Sequence, residues 1–283
     1  MVFSTRSWAC AAIRKITSGV SYAPVVTLFG TTCTFTLERP PAKRGVPLAG
    51  GLGIFQENRQ FYTTKTMEAQ KLIDQTIAFV QTTLSGAEAG HDWAHTRRVW
   101  KNAELIARHE AVDPLVVALA ALLHDIADAK FHQGDEEVGP RKARAFLESL
   151  PVEATIVDHV EQIVRHISFK GGNFTRSFHS PELAVVQDAD RLDAIGAIGI
   201  ARAFHYGGYR NRELHNPDIP PNLNMSKEEY KNSAAPTINH FYEKLLLLKD
   251  RMNTPAGRRL AEQRHRYMEG FLEQFLEEWD GRR

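Results

Sequence analysis

This sequence predicts an all-α fold, and three observations carry the prediction. Apolar residues recur at three-to-four spacing from Met67 almost to the C-terminus, the period of a helix that buries one face. No stretch alternates apolar and polar residues as a half-buried strand does. No unit of solenoid length recurs along the chain.

Taken in order, the first helix is expected in "EAQKLIDQTIAFVQTTL", where Leu72, Ile73, Ile77, Val80 and Leu84 share one side. A second is expected from about His91 to Ala111, with Val99, Ala103, Ile106 and Ala107 facing inward. Asp113-Pro114 opens a third, Asp113 as N-cap and Pro114 in the first turn. Its sequence, "LVVALAALLHD", is apolar on every side and therefore belongs at the centre. Further helices are expected at about 136–149, 153–168, 180–204, 227–253 and 255–280. Between Tyr206 and Met225 the Gly, Asn and Pro content of "YGGYRNRELHNPDIPPNLNM" reads as a long loop. Tyr206, Tyr209, Arg210, Arg212 and His215 in that loop are suited to stacking on a base or pairing with phosphate.

With 283 residues, 43% hydrophobic and 24% charged, the chain has enough apolar material for one large domain or two small ones. No apolar run approaches the roughly 20 residues that cross a bilayer, so neither a transmembrane helix nor a membrane partner is expected. Residues 1–66 hold eight basic residues against only Glu38 and Glu57, which leaves the remainder net acidic. An acidic body disfavours nucleic acid, whose affinity comes from clustered Lys and Arg. Residues 1–37 contain no acid, three bases and eleven Ser or Thr, the composition of an organelle transit peptide. A disordered tail is the other reading. "ERPPAKRGVPLAGGLG" then reads as linker. Residues 1–66 are thus expected to be a disordered leader and linker, and 67–283 the functional domain. The location expected is an organelle, mitochondrion or chloroplast, with the cytoplasm as alternative. Cys10 and Cys33 both lie in the leader, which excludes disulfides, thiolate catalysis and cysteine zinc sites from the domain.

All twelve histidines follow residue 90. "GHDWAHTRRVW" sets His91 and His95 one helical turn apart on one face. "HDIAD" follows at 124–128, then "VRHISFKGG" with His166, then "QDADRLDAIG" with Asp188, Asp190 and Asp193. A His–Asp pair carried into the core is costly unless something offsets it. A divalent cation does so, neutralising the carboxylate and accepting imidazole nitrogen. Because adjacent helical residues point about 100° apart, His124 and Asp125 can grip one ion only over the helix end. No phosphate-cradling loop with Lys and Ser or Thr, no Gly-x-Ser-x-Gly and no complete zinc-protease helix is present.

The ordered set "HTRRV", "HD" and "D" from three helices resembles the HD-domain superfamily of metal-dependent phosphohydrolases. The resemblance covers about residues 67–250. "HDWAHTRRVW…LLHDIADAKF…HISFKGG…QDADRLDAIGAIGIARAF" is similar to a bacterial-type branch of that superfamily. It implies an all-α HD-domain bundle with the ion between helices, and His95, His124, Asp125 and Asp190 as metal ligands. Asp128 matches an acid near the catalytic water, where it acts as general base or instead binds backbone or Lys130. His91 joins the metal, orients His95 or caps its helix. His166 and Lys170 stand on the substrate side or form a basic helix end. Arg98 touches phosphate or pairs structurally with a ligand carboxylate. Arg191 and Asp193 are expected to support the ligands.

The expected activity is hydrolysis of a phosphoester or phosphoanhydride, most plausibly in a nucleotide, with Mn, Mg, Co, Ni, Fe or Zn as the divalent cation. The partner is then a small phosphorylated molecule, and a homodimer is compatible with the family. Two other readings stand beside it: a catalytically silent metal- or nucleotide-binding HD module, and a di-iron HD oxygenase.

Overall fold

The computed structural model describes residues 52–86, 92–127, 135–167, 178–226, 229 and 232–282. Helix α1 spans Leu52–Thr83, so it starts ahead of the expected boundary at Met67. The compact unit of the chain runs from Ile54 to Arg283. The reason is local: the Pro- and Gly-rich stretch ends at Gly53, and nothing between Ile54 and Thr83 breaks a helix once it has begun. The rest of the expected leader, residues 1–51 with Cys10 and Cys33, lies outside the described residues. The face of α1 that enters the core carries Leu72, Thr76 and Val80 at four-residue spacing, and Thr76 donates its hydroxyl to Leu72 O at 2.8 Å.

Helix α2, Trp93–Ala107, is opened by Asp92, whose side chain accepts the His95 amide at 2.8 Å. Helix α3, Pro114–Leu123, is capped by Asp113, which accepts from the amides of Leu115 and Val116. Every residue from Val116 to Leu123 is buried, as the all-round apolar pattern requires. Helices α4 (Val138–Glu148) and α5 (Ala154–His166) follow. Helix α6, Pro181–Asp193, starts at a Ser180 cap.

The single helix expected over 180–204 is two. Helix α7, Gly196–Tyr209, begins after a break at Ala194 and Ile195. Gly196 adopts φ 76°, a conformation side chains resist, and a Cβ there would meet the Arg264 side chain at 3.0 Å. Because α7 runs on to Tyr209, the expected loop loses its first residues to helix. The helix expected over 227–253 is also divided. Pro236 precedes α8, Thr237–Glu243, and a 3₁₀ segment, Leu245–Arg251, follows it. Glu229 and Asn232 are helical, and proline disfavours helix in the residue before it, which separates them from α8. Helix α9, Pro255–Trp279, is capped by Thr254.

Helix α3 packs against α2, α5 and α6, α2 also packs along α6, and α4 lies on α5. Helix α9 packs against α6 and α7. Ile106, Leu119, Leu122, Leu123, Ile163 and Leu192 are fully buried where these helices meet, each stabilising the fold by roughly 2 kcal/mol through apolar burial. Among the described residues there is no strand, and no helix is long and apolar enough to cross a membrane. The functional consequence of this packing is that the first turn of α2, the last residue of α3 and the last turn of α6 converge.

Candidate metal centre

At that convergence stand His95, His124 and Asp190, each offering one ligand atom, all within 4.8 Å of one another. His95 comes from the first turn of α2, His124 is the C-cap of α3, and Asp190 lies in the last turn of α6. The two imidazoles are buried, 4% and 8% exposed, and their ring centroids lie 5.3 Å apart. The Asp190 side chain is 44% exposed, with Oδ1 3.6 Å from His95 Nε2. The group is therefore closed behind the histidines and open beside the carboxylate.

Hydrogen bonds fix which nitrogen each histidine presents. His124 Nδ1 lies 2.8 Å from Ala121 O; a carbonyl only accepts, so Nδ1 carries the proton and the neutral ring keeps its lone pair on Nε2. His95 Nδ1 lies 2.8 Å from Asp193 Oδ2, and a carboxylate again demands the proton on Nδ1. Two buried imidazoles thus hold Nε2 lone pairs beside a carboxylate, a donor set that fits a divalent transition metal or Mg.

Asp193 is the hub behind this arrangement. It is 1% exposed, and besides His95 it accepts from Arg98 Nε at 2.6 Å and Nη2 at 3.0 Å. Arg202 Nη1 adds a contact at 2.5 Å. Burial alone would raise the carboxyl pKa, but the hydrogen bonds from His95 and Arg98, with the charge of Arg202, hold it far below the usual range. Asp193 is a permanent anion that orients His95. Arg98 pairs with Asp193, which is not one of the expected ligand carboxylates but contacts His95.

The other expected residues distribute as follows. Asp125 is half-buried directly after His124, and its carboxylate is not among the three groups that share the 4.8 Å limit. His166 ends α5 half-buried, with Nδ1 2.8 Å from Gln162 O and its ring 5.5 Å from that of Phe178. Asp128, Lys170, His91 and Lys130 lie outside the described residues. Asp188 is used by the fold: its buried carboxylate accepts from the amides of Asn253 and Thr254, the Thr254 hydroxyl and Arg191. Arg191 also donates to Arg251 O and so braces the end of α6.

Three residues were not found from the sequence. Arg202 borders the centre, with Nη1 3.5 Å from His95 Nδ1; its only signal was a place nine residues after Asp193, in the motif already quoted. Lys244 and His240 belong to α8 and its C-cap. Lys244 is exposed to solvent; desolvation lowers its pKa against the pull of Asp190, with Arg202 and Arg251 adding to the drop. His240 is pulled down to about 4 by burial and by the charges of Lys244 and Arg212.

Against known proteins, the HD domain matches residues 92–195, the segment that contains all three clustered residues. The protein YpgQ of Bacillus subtilis is 36% identical over 216 residues, covering 76% of this chain and 97% of YpgQ. A crystal structure of an HD-superfamily hydrolase from Bacillus thuringiensis superposes with TM-score 0.61 at 45% identity, over 75% of this chain and 98% of that one. The crystal structure of YpgQ in complex with ADP superposes with TM-score 0.57 at 34% identity, over 75% and 96%. Matched by YpgQ at 36% identity over 97% of its length and by the HD domain over residues 92–195, this chain belongs to the HD-domain family.

Proposed function

We propose that this chain is a metal-dependent phosphohydrolase that cleaves a phosphoester or phosphoanhydride bond of a nucleotide. The observation that carries the reading is the pair of buried histidines, both with Nδ1 fixed by an acceptor and Nε2 beside the Asp190 carboxylate. HD-superfamily hydrolases among the structural relatives, and the ADP bound to YpgQ, support the reaction class and the nucleotide.

In this reading His95, His124 and Asp190 hold the cation, with Asp125 as the fourth ligand. The cation, drawn from Mn, Mg, Co, Ni, Fe or Zn, lowers the pKa of a water and offsets phosphoryl charge. The chain's own residues do the rest. Asp193, clamped by Arg98, keeps the His95 proton on Nδ1 and so keeps Nε2 available. The half-exposed Asp190 leaves the site open on one side for substrate. Asp128 is assigned the proton of the attacking water, and His166 and Lys170 the substrate side.

The test is a phosphatase and pyrophosphatase screen of the full chain with each metal. His124→Ala and Asp125→Ala are expected to lose bound metal and activity together while helical content stays. Equal hydrolysis by metal-stripped protein overturns the reading. Activity absent with every metal, nucleotide binding retained, would make the chain a silent binding module. Two irons per chain on metal analysis would favour an oxygenase.

A further inference from the structure

The turn of α6 that presents Asp190 is held by its main chain as well as by Asp193. Asn102 lies on α2 two helical turns beyond His95, on the same face, and it is buried. Its Nδ2 donates to Ala189 O, the carbonyl directly before Asp190, at 3.2 Å. Its Oδ1 accepts from Arg264 Nη2 at 2.8 Å. The same guanidinium donates through Nη1 to Leu192 O, two residues after Asp190. One arginine of α9 thereby joins a side chain of α2 to the backbone of α6. The two carbonyls it secures, one directly and one through Asn102, flank Asp190.

Burial disfavours the charge of Arg264 and lowers its pKa against the pull of Asp193. Its guanidinium donates to neutral oxygens, a carbonyl and an amide. A half-buried cation on neutral acceptors is a costly brace, and the partial negative charge at the C-terminal end of α6 offsets part of that cost. The stem needs room as well: a Cβ on Gly196 would meet Arg264 Cβ and Cγ at 3.0 Å. What the arrangement supplies is direction. Apolar packing between α2 and α6 is non-directional and lets one helix slide along the other. Metal–ligand distances hold to about 0.2 Å, so the register of these helices has to be set by bonds with a preferred line. Asp193 supplies such bonds at the His95 end, and Asn102 supplies one beside Asp190.

We infer that Asn102 and Arg264 form a bracket that sets the register of α6 on α2, and with it the distance of the Asp190 carboxylate from His95 and His124. For the cation this rests on the phosphohydrolase reading; for the bracket it rests on hydrogen bonds independent of that reading. Both are positioning residues, acting on the ion through Asp190. Each also depends on the other. Without Arg264 the buried Asn102 Oδ1 loses its donor, and without Asn102 both Ala189 O and one arm of the guanidinium lose a partner. The pair therefore works as one unit, and units of this kind show non-additive effects.

The experiment is a titration of the metal-stripped full chain with Co(II), whose visible absorption reports the arrangement of its ligands, run well below each variant's thermal midpoint. Asn102→Ala and Arg264→Met are each expected to weaken Co(II) binding by about tenfold or more, as loss of a group that supports a ligand does, and to alter the spectrum. The double variant should lose no more than the weaker-binding single. Arg264→Lys, which keeps the charge without the span of the fork, should fall between Arg264→Met and wild type. Two controls should bind Co(II) as wild type: Arg266→Gln, exposed on α9, and Leu147→Ala, buried on α4, the latter despite a lower thermal midpoint. Wild-type affinity and spectrum in both Asn102→Ala and Arg264→Met overturn the bracket. So do losses that multiply in the double variant, or an equal loss in Leu147→Ala. If the bracket variants bind Co(II) normally while His124→Ala does not, the bracket falls and the metal centre stands. If they bind it weakly but no metal form of the wild type cleaves a phosphoester or phosphoanhydride, the hydrolase falls and the bracket stands.

Discussion

Asp193 receives a histidine and two arginines on one buried carboxylate, and this decides what its neighbours can do. Without the negative charge, nothing holds the His95 proton on Nδ1, and a ring turned to the other tautomer offers the metal an N–H. Asp193→Asn keeps the shape and removes the charge. It is expected to weaken metal affinity by about 10- to 100-fold with circular dichroism unchanged; undiminished affinity in a metal titration would show that His95 is oriented by other means. His240 has a different consequence. Its pKa in the fold is about 4, against an ordinary 6.5, so the unfolded chain binds the proton first as pH falls. Stability is therefore expected to drop between about pH 6.5 and 4, and the neutral His240→Asn should flatten that part of the curve. Denaturant midpoints measured across the range check the slope.

Among the elements, α3 was the most legible in the sequence, because an all-apolar helix after Asp-Pro has few other places to go. Its cap is testable: Asp113→Ala removes the acceptor for two amides and should cost about 1 kcal/mol, read from the denaturant midpoint. The clustering of His95, His124 and Asp190 was legible for the same kind of reason, since they sit in short motifs on or at the end of well-patterned helices. The break between α6 and α7 was not. "DAIGAIGIARAF" keeps a helical apolar period across Ala194 and Ile195, and only the close approach of Arg264 to Gly196 reveals why the chain turns there. Lys244 escaped for a related reason. It lies in a stretch whose apolar period reads as one long helix, whereas Pro236 and the turn into the 3₁₀ segment divide that stretch on either side of α8. Local pattern reports which residues form an element; it does not report which distant element that residue will face.

For the molecule as a whole, the buried residues described in α1 begin at Leu72. A chain starting at Met67 keeps Leu72, Thr76 and Val80. It is expected to melt cooperatively within a few degrees of the full chain and to bind metal equally; a lost transition on calorimetry would make residues before Met67 structural. The leader, whose first 37 residues hold no acid, belongs to the same scale. Fused to a fluorescent reporter, residues 1–66 should carry it into a mitochondrion or chloroplast, and a diffuse cytosolic signal would count against that proposal.

The buried Asp188 ties the amides of Asn253 and Thr254, at the head of α9, to the middle of the helix that presents Asp190. An anion with so many donors cannot be released singly without stranding its charge in the core. Opening of the C-terminal helix and opening of α6 should accordingly be one event. In native-state hydrogen exchange, the amides of α6 and those at the start of α9 would share a single opening free energy, and Asp188→Asn would lower both together. The last stretch of the chain, remote in sequence from every histidine of the centre, thereby sets how often the centre comes apart.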